Sequence, residues 1–167
     1  RYVLVDGDGV VLPVSLPKSD VDVCTDFLAG LARPIHMVRG VEGDAPAAGQ
    51  AWGNEQVAAA LSMERVIRQS ELDRMLPIEA IELVGIPREA DARGRVFYQT
   101  EGGIVLVPDQ QRMPGTRLMW GRPPIHASTL ERSPNDKLNE LIARLRELDA
   151  VADVRIVEGP AMIKSEN

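Results

Sequence analysis

Residues 2–13, YVLVDGDGVVLP, place two apolar runs on either side of an Asp-Gly-Asp-Gly sequence at residues 6–9. Asp-Gly pairs readily adopt the positive-φ conformations that a tight turn between antiparallel strands requires. The flanking runs, Tyr2 to Val5 and Val10 to Leu12, are rich in the β-branched residues that favour strands. The stretch therefore predicts a β-hairpin, which points to a sheet of antiparallel strands.

The same letters also match hhhhDxDG, where h is an apolar residue, which is the first motif of dehalogenase-type phosphatases. In that alternative Asp6 is the nucleophile, Asp8 is the acid/base, and the enzyme depends on Mg²⁺. Phosphoryl transfer then also needs a cation for the phosphate and further carboxylates for the metal. Lys18 and Asp44 are the candidates that follow in order, but they lie too close to Asp6 for the βα units that separate such motifs. The hairpin is the preferred interpretation, and the phosphatase is the alternative function.

Two long helices are the clearest elements that follow. Asn54 is a good N-cap for a helix that runs to Ser70, with Glu55 in its first turn. Ser133 followed by Pro134 is an equally good start for a second helix, over residues 133–148. That helix carries an apolar stripe at the three- and four-residue spacing of a core-facing helix: Leu138, Leu141, Ile142, Leu145 and Leu148. A shorter helix is predicted through Val21, Phe27, Leu28 and Leu31.

Strands are predicted before, between and after these helices. Beyond the first hairpin they cover residues 35–38, 78–86, 96–98 paired with 104–107 as a second hairpin, 116–121 and 152–163. The last of them contains Gly159-Pro160, and proline cannot donate a ladder hydrogen bond, so this strand belongs at an edge. The order of elements predicts an α+β fold. Its mixed, largely antiparallel sheet carries a long central helix and a Leu-rich C-terminal helix packed on it, with a closing edge strand.

Composition narrows the function classes. The 167 residues suit a single domain spanning 1–167, and the net charge of −6 with dispersed basic residues argues against a nucleic-acid partner. One cysteine, Cys24, excludes an internal disulfide and a cysteine metal cluster. His36 and His126 each lie near a proline and show no metal-ligand spacing. We therefore predict no catalytic residue, no metal site and no cofactor.

The C-terminal end of the chain carries three motifs in order: WGRPP (120–124), KLNELIARLREL (137–148) and ADVRIVEGPAM (152–162). They resemble the FtsQ/DivIB family of bacterial cell-division proteins, in which a strand ending in Gly is followed by a Leu-rich helix and a closing strand hDhRhxxGxAh. Pro160 departs from the small residue usual between the Gly and Ala of that closing pattern. At the N-terminal end the hairpin resembles hhLVDxxGhVhP, with matches at Leu4, Val5, Asp6, Gly9, Val11 and Pro13.

The resemblance implies a non-catalytic scaffold domain of the division machinery, involved in septation. Family members have one membrane helix in the cell inner membrane, then a POTRA domain and this β domain on the periplasmic side; the anchor and the POTRA domain are expected upstream of the present sequence. Their partners are coiled-coil division proteins of the FtsB/FtsL type, which add a strand to the edge of the sheet. The resemblance places the partner-binding residues on the closing strand: Val154, Ile156, Glu158, Gly159, Ala161 and Met162. Without the family, the closing strand is simply a protected sheet edge. A further alternative function is an envelope domain of another pathway that shares the sheet architecture.

Overall fold

A computed structural model describes residues 2–17, 27, 30–31, 35–98, 102–127 and 131–157. Within these residues the chain forms six strands, three α-helices and one 3₁₀ turn. The strands make a two-stranded sheet and a four-stranded sheet, mostly antiparallel, with helices packed on the larger one. The predicted α+β class is confirmed.

The first hairpin is confirmed and consists of β1 (Tyr2–Val5) and β2 (Val11–Leu16), which pair antiparallel. Strand β2 extends beyond the predicted end at Leu12 and passes through Pro13; proline is tolerated where a strand has a free edge. The turn between the strands lies against the rest of the fold, because the Gly9 carbonyl accepts the Trp52 N–H at 2.9 Å.

The four-stranded sheet contains β3 (Met37–Arg39), β4 (Ile78–Val84), β5 (Gly103–Pro108) and β6 (Leu118–Gly121), in the order β3-β4-β5-β6. Strand β3 runs parallel to β4, and the other neighbours are antiparallel. The strands predicted at 35–38, 78–86 and 116–121 are thus present, with shifted ends.

The predicted second hairpin is wrong. Residues 96–98 form no strand, and β5 instead pairs with β4 on one side and β6 on the other. All six residues of β5 are buried, and a strand buried on both faces belongs in the interior of a sheet, where both edges find partners. Phe97, in contrast, is 64% exposed.

Helix α1 (Glu55–Gln69) and the short helix α2 (Leu72–Met75) cover one face of this sheet. The N-cap prediction for Asn54 is confirmed, since its Oδ1 accepts the Val57 N–H at 2.7 Å. Side chains of both helices meet those of the sheet in one core, whose most buried members are Met63, Ile67, Leu72, Ile81, Ile104 and Leu106. Burial of these apolar side chains is the main term that stabilises the domain.

Replacing Asn54 by Ala is expected to lower the free energy of unfolding by about 1 kcal/mol, because α1 loses the side-chain acceptor at its start. Asn54→Asp is the matched control. It keeps the acceptor and removes the buried Nδ2 donor, which has no partner in the structure, so we expect stability equal to or above that of the wild type. Urea denaturation measures both, and an equal loss in Asn54→Asp and Asn54→Ala would contradict the assignment of the cap.

Helix α3 (Pro134–Val157) begins as predicted but ends later. The Ser133 Oγ accepts the Asp136 N–H at 3.2 Å, which confirms the cap. Leu145 is buried in the core, and Leu138 and Leu141 pack against it. The Leu-rich helix therefore packs on the sheet as expected.

The closing strand predicted from Ala152 is wrong as far as Val157, because these residues belong to α3. No glycine or proline occurs between Leu148 and Val157, and the first helix-breaking pair is Gly159-Pro160. A helix without a stop signal continues to the next one. Residues 158–163 lie outside the described residues, as do Cys24 and most of the short helix predicted around Phe27.

Candidate functional site

The four-stranded sheet has two edges, formed by β3 and β6. Within the described ranges, no further strand pairs with the outer side of either one. An edge strand presents unpaired backbone N–H and C=O groups to which another chain can add a strand. Strand β6 also carries the most exposed large apolar side chain found on any strand of the described part, Met119, which is 63% exposed.

The inner side of β6 is irregular. Met119 lies opposite Val105 and Gly121 lies opposite Ile104, so Trp120 has no counterpart on β5. This is the arrangement of a β-bulge, in which one extra residue interrupts the ladder and leaves its backbone groups to find other partners. The Trp120 side chain itself is 7% exposed and belongs to the core.

Lys137, in the first turn of α3, binds the backbone carbonyl of the bulged residue, Trp120. Its Nζ donates to the Trp120 carbonyl at 3.2 Å and lies 3.3 Å from Glu131 Oε2. The ammonium also lies 5.8 Å from the centre of the Trp120 ring, within range of a cation–π interaction. The Lys137 side chain is only 17% exposed, so the C-terminal half of β6 is covered while Leu118 and Met119 are left accessible.

Two of the six partner-binding residues predicted from the sequence lie in a helix and not in a closing strand. Val154 and Ile156 lie in the last turns of α3, whereas Glu158, Gly159, Ala161 and Met162 lie outside the described residues. The edge that sequence reasoning missed is β6. The sequence predicts the strand at 116–121, but its edge position and the exposure of Met119 appear only in the structure.

The aspartates of the phosphatase alternative are part of the hairpin turn. Asp6 Oδ1 accepts the N–H groups of Asp8 and Val10, both at 2.9 Å, and the Asp6 carbonyl accepts the Gly9 N–H at 3.1 Å. Gly9 has a φ of +82°, as the last position of such a turn requires. The two strands on either side are antiparallel, whereas a dehalogenase-type nucleophile follows a strand of a parallel sheet. No observation in the described residues favours this alternative.

His36 forms a buried bridge between the sheet edge at β3 and two helices. Its Nδ1 hydrogen-bonds to Glu64 of α1, and its Nε2 lies 3.2 Å from Asp73 Oδ1 of α2. The imidazole side chain is 2% exposed. Burial alone would lower its pKa, but the two carboxylates outweigh burial, so the pKa of His36 is raised. The pKa of Glu64 is lowered: burial acts against this, and the bonds from His36 and Arg68 outweigh it.

His126 is the centre of a second cluster, at the start of α1. Its Nε2 lies 3.2 Å from Glu55 Oε2, and its Nδ1 hydrogen-bonds to the Tyr98 hydroxyl. Burial and the charge of Glu55 raise the pKa of Tyr98 to about 12, so the phenol stays protonated and donates. These polar contacts join the 3₁₀ turn at Pro124–His126 to α1 and therefore have a structural role.

Comparisons with protein-family models, with curated proteins and with solved structures find no match for this chain. In the part of the chain that the structure describes, no group of three or more His, Cys, Asp or Glu side chains is placed to hold a metal ion. None of the described helices has both the length and the apolar character needed to cross a bilayer.

Proposed function

We propose that this chain is a non-catalytic interaction domain of the FtsQ/DivIB type, which binds an extended segment of a partner by strand addition at the β6 edge. The observation that carries the proposal is the outer side of β6, with which no strand of the described residues pairs, next to the exposed Met119. Main-chain hydrogen bonds would supply affinity, and a pocket or apolar side chain on the partner would meet Met119 and supply specificity.

The choice of a cell-division partner rests on the sequence resemblance. It is supported by the hairpin, which forms around Leu4-Val5-Asp6 and Gly9. It is also supported by the order of elements, in which a long helix, an Ile-rich strand, a strand ending in Trp120-Gly121 and a Leu-rich helix follow one another. The proposed partners are extracytoplasmic segments of coiled-coil division proteins of the FtsB/FtsL type, and the proposed location is the periplasmic side of the inner membrane.

The accessible half of β6 limits how the partner can add. The carbonyl of Trp120 is already hydrogen-bonded to Lys137, so a partner strand would align first with Leu118 and Met119. Aligned in this way, the partner would place a side chain beside Met119 on the exposed face, at the spacing of about 4.5 to 5.5 Å that neighbouring strands impose. The binding energy would then depend on the exposed side chain of Met119 more than on its neighbours.

Met119→Lys is expected to weaken binding of such a partner about tenfold or more, because it replaces the central apolar contact by a charge. Val38→Lys is the matched control: Val38 lies on β3, at the opposite edge of the same sheet, and is 38% exposed. Binding is measured by calorimetry with the extracytoplasmic segment of the FtsB/FtsL-type protein encoded in the same genome. Equal binding by Met119→Lys and wild type, or a loss confined to Val38→Lys, would reject the β6 site.

A further inference from the structure

Lys137 occupies a position that its own helix does not favour. It lies in the first turn of α3, where the positive end of the helix dipole disfavours a cation. The chain has only three lysines against sixteen arginines, and the structure gives this one a partner outside its helix. Its Nζ reaches across to the edge strand and donates to the Trp120 carbonyl at 3.2 Å.

The contacts of Lys137 are suited to protecting a sheet edge. Natural edges are shielded by short strands, by bulges and by lysine side chains, all of which hinder the addition of an unwanted strand. Strand β6 has all three features: it is four residues long, it is bulged at Trp120, and it carries the ammonium of Lys137. Glu131, 3.3 Å away, holds the ammonium in place.

We propose that Lys137 hinders pairing of the β6 edge with the β6 edge of a second copy of this chain. In a dimer formed edge to edge about a two-fold axis, the same strand faces itself, so two ammonium groups would be brought to one interface. Each ammonium group would also occupy the Trp120 carbonyl of its own copy, so that carbonyl could not accept a hydrogen bond from the opposite strand. A partner of different sequence would meet a single Lys137. Lys137 would therefore hinder pairing with a second copy more than it hinders binding of the partner. The partner side of this inference rests on the proposed function, whereas the self-association side does not.

The test removes the cation and measures the oligomeric state of the chain by itself. Lys137→Met keeps an unbranched side chain, removes the ammonium that lies over the Trp120 ring and frees one carbonyl per copy. With two freed hydrogen bonds in a symmetric dimer, self-association is expected to become about 30-fold tighter than in the wild type. Sedimentation equilibrium measures this change. Lys137→Gln, a second neutral variant, is expected to shift in the same direction, and Lys137→Arg is expected to remain as the wild type.

Two further variants show where the copies meet. Arg146→Met removes a 65% exposed cation from the same helix and is expected to leave self-association unchanged. Adding Met119→Lys to Lys137→Met is expected to restore the wild-type value, because it returns a charge to the β6 edge.

The inference is overturned if folded Lys137→Met and Lys137→Gln associate no more tightly than the wild type, or if the wild type already dimerises through β6. Its failure is distinct from failure of the proposed function. Neutral variants that dimerise, with a wild type that binds no division partner, would support the role of Lys137 and reject the function. If the wild type binds its partner and the neutral variants stay monomeric, the proposed function is supported and the role of Lys137 is rejected.

Discussion

Gly103→Ala is expected to lower the free energy of unfolding by about 3 kcal/mol or more, the largest loss that we predict for a change of one methyl group. A Cβ at this position would lie 2.3 Å from the Gly121 carbonyl oxygen and 2.5 Å from its carbon. Both atoms are backbone, so β5 and β6 would have to separate at the point where Ile104 pairs with Gly121. Steric insertion into a packed interior typically costs 1–3 kcal/mol, and the positive φ of Gly103, +156°, adds conformational strain.

Gly94→Ala is the control for the clash. Gly94 also has a positive φ, of +71°, but a Cβ there would have no atom within 4 Å. Its replacement is expected to cost only about 1 kcal/mol, from the left-handed backbone conformation. Urea denaturation of both variants separates the two effects, and a Gly103→Ala loss no greater than that of Gly94→Ala would show that β5 and β6 do not approach so closely.

His36→Gln is expected to lower the free energy of unfolding by about 2 kcal/mol at pH 6, because the half-buried carboxylates of Glu64 and Asp73 lose the cation between them. The contribution of His36 to stability also has a definite pH dependence. Its pKa is raised in the folded state, so the contribution is fully present below the unfolded pKa of about 6.5 and is lost as the pH rises through the folded value. The lowered pKa of Glu64 has the opposite effect. The contribution of Glu64 to the free energy of unfolding is present above about pH 4.5, its ordinary pKa, and is lost as the pH falls through the folded value.

Stability from this cluster is therefore greatest between about pH 5 and 6.5 and declines towards pH 9. The groups that face His36 are Glu64, which also binds Arg68, and Asp73. Unfolding free energies measured from pH 5 to 9 are expected to fall in the wild type and in His126→Gln, which keeps the bridge, and to change much less in His36→Gln. The same fall in all three proteins would contradict a role for His36.

The local parts of the fold could be predicted from the sequence. Asn54 and Ser133 are caps whose side chains act within three residues, and the turn after Val5 depends on residues 6–10. These interactions are set by short spacings that the chain itself displays. For the same reason the hairpin, α1 and the start of α3 were predicted correctly.

The parts that depend on distant residues were not predictable in the same way. His36 meets partners 28 and 37 residues away, and its sequence neighbours give no sign of them. The sequence pairs β5 with its nearest apolar segment, residues 96–98. In the structure β5 pairs with β4 and β6 instead, because a strand that is buried on both faces lies in the interior of a sheet. The closing strand is wrong over residues 152–157 for a third reason. β-branched residues such as Val154 and Ile156 favour a strand, yet they continue a helix that meets no stop signal before Gly159.

These errors changed where we place the candidate site. The sequence pattern indicated an edge strand at residues 152–163, whereas the edges formed by the described residues are β3 and β6. Strand addition and the class of partner stay proposals, and they rest on the sequence resemblance. The position of that interaction comes from the exposure of Met119 and from the bulge at Trp120.

Hydrogen–deuterium exchange of the wild type, with and without the FtsB/FtsL-type segment, tests the central claim most directly. We expect the partner to slow exchange of backbone amides in Leu118–Gly121 and to leave those of Met37–Arg39, on the opposite edge, unchanged. Bound partner without added protection in β6, or with protection confined to β3 or α3, would contradict strand addition at the β6 edge.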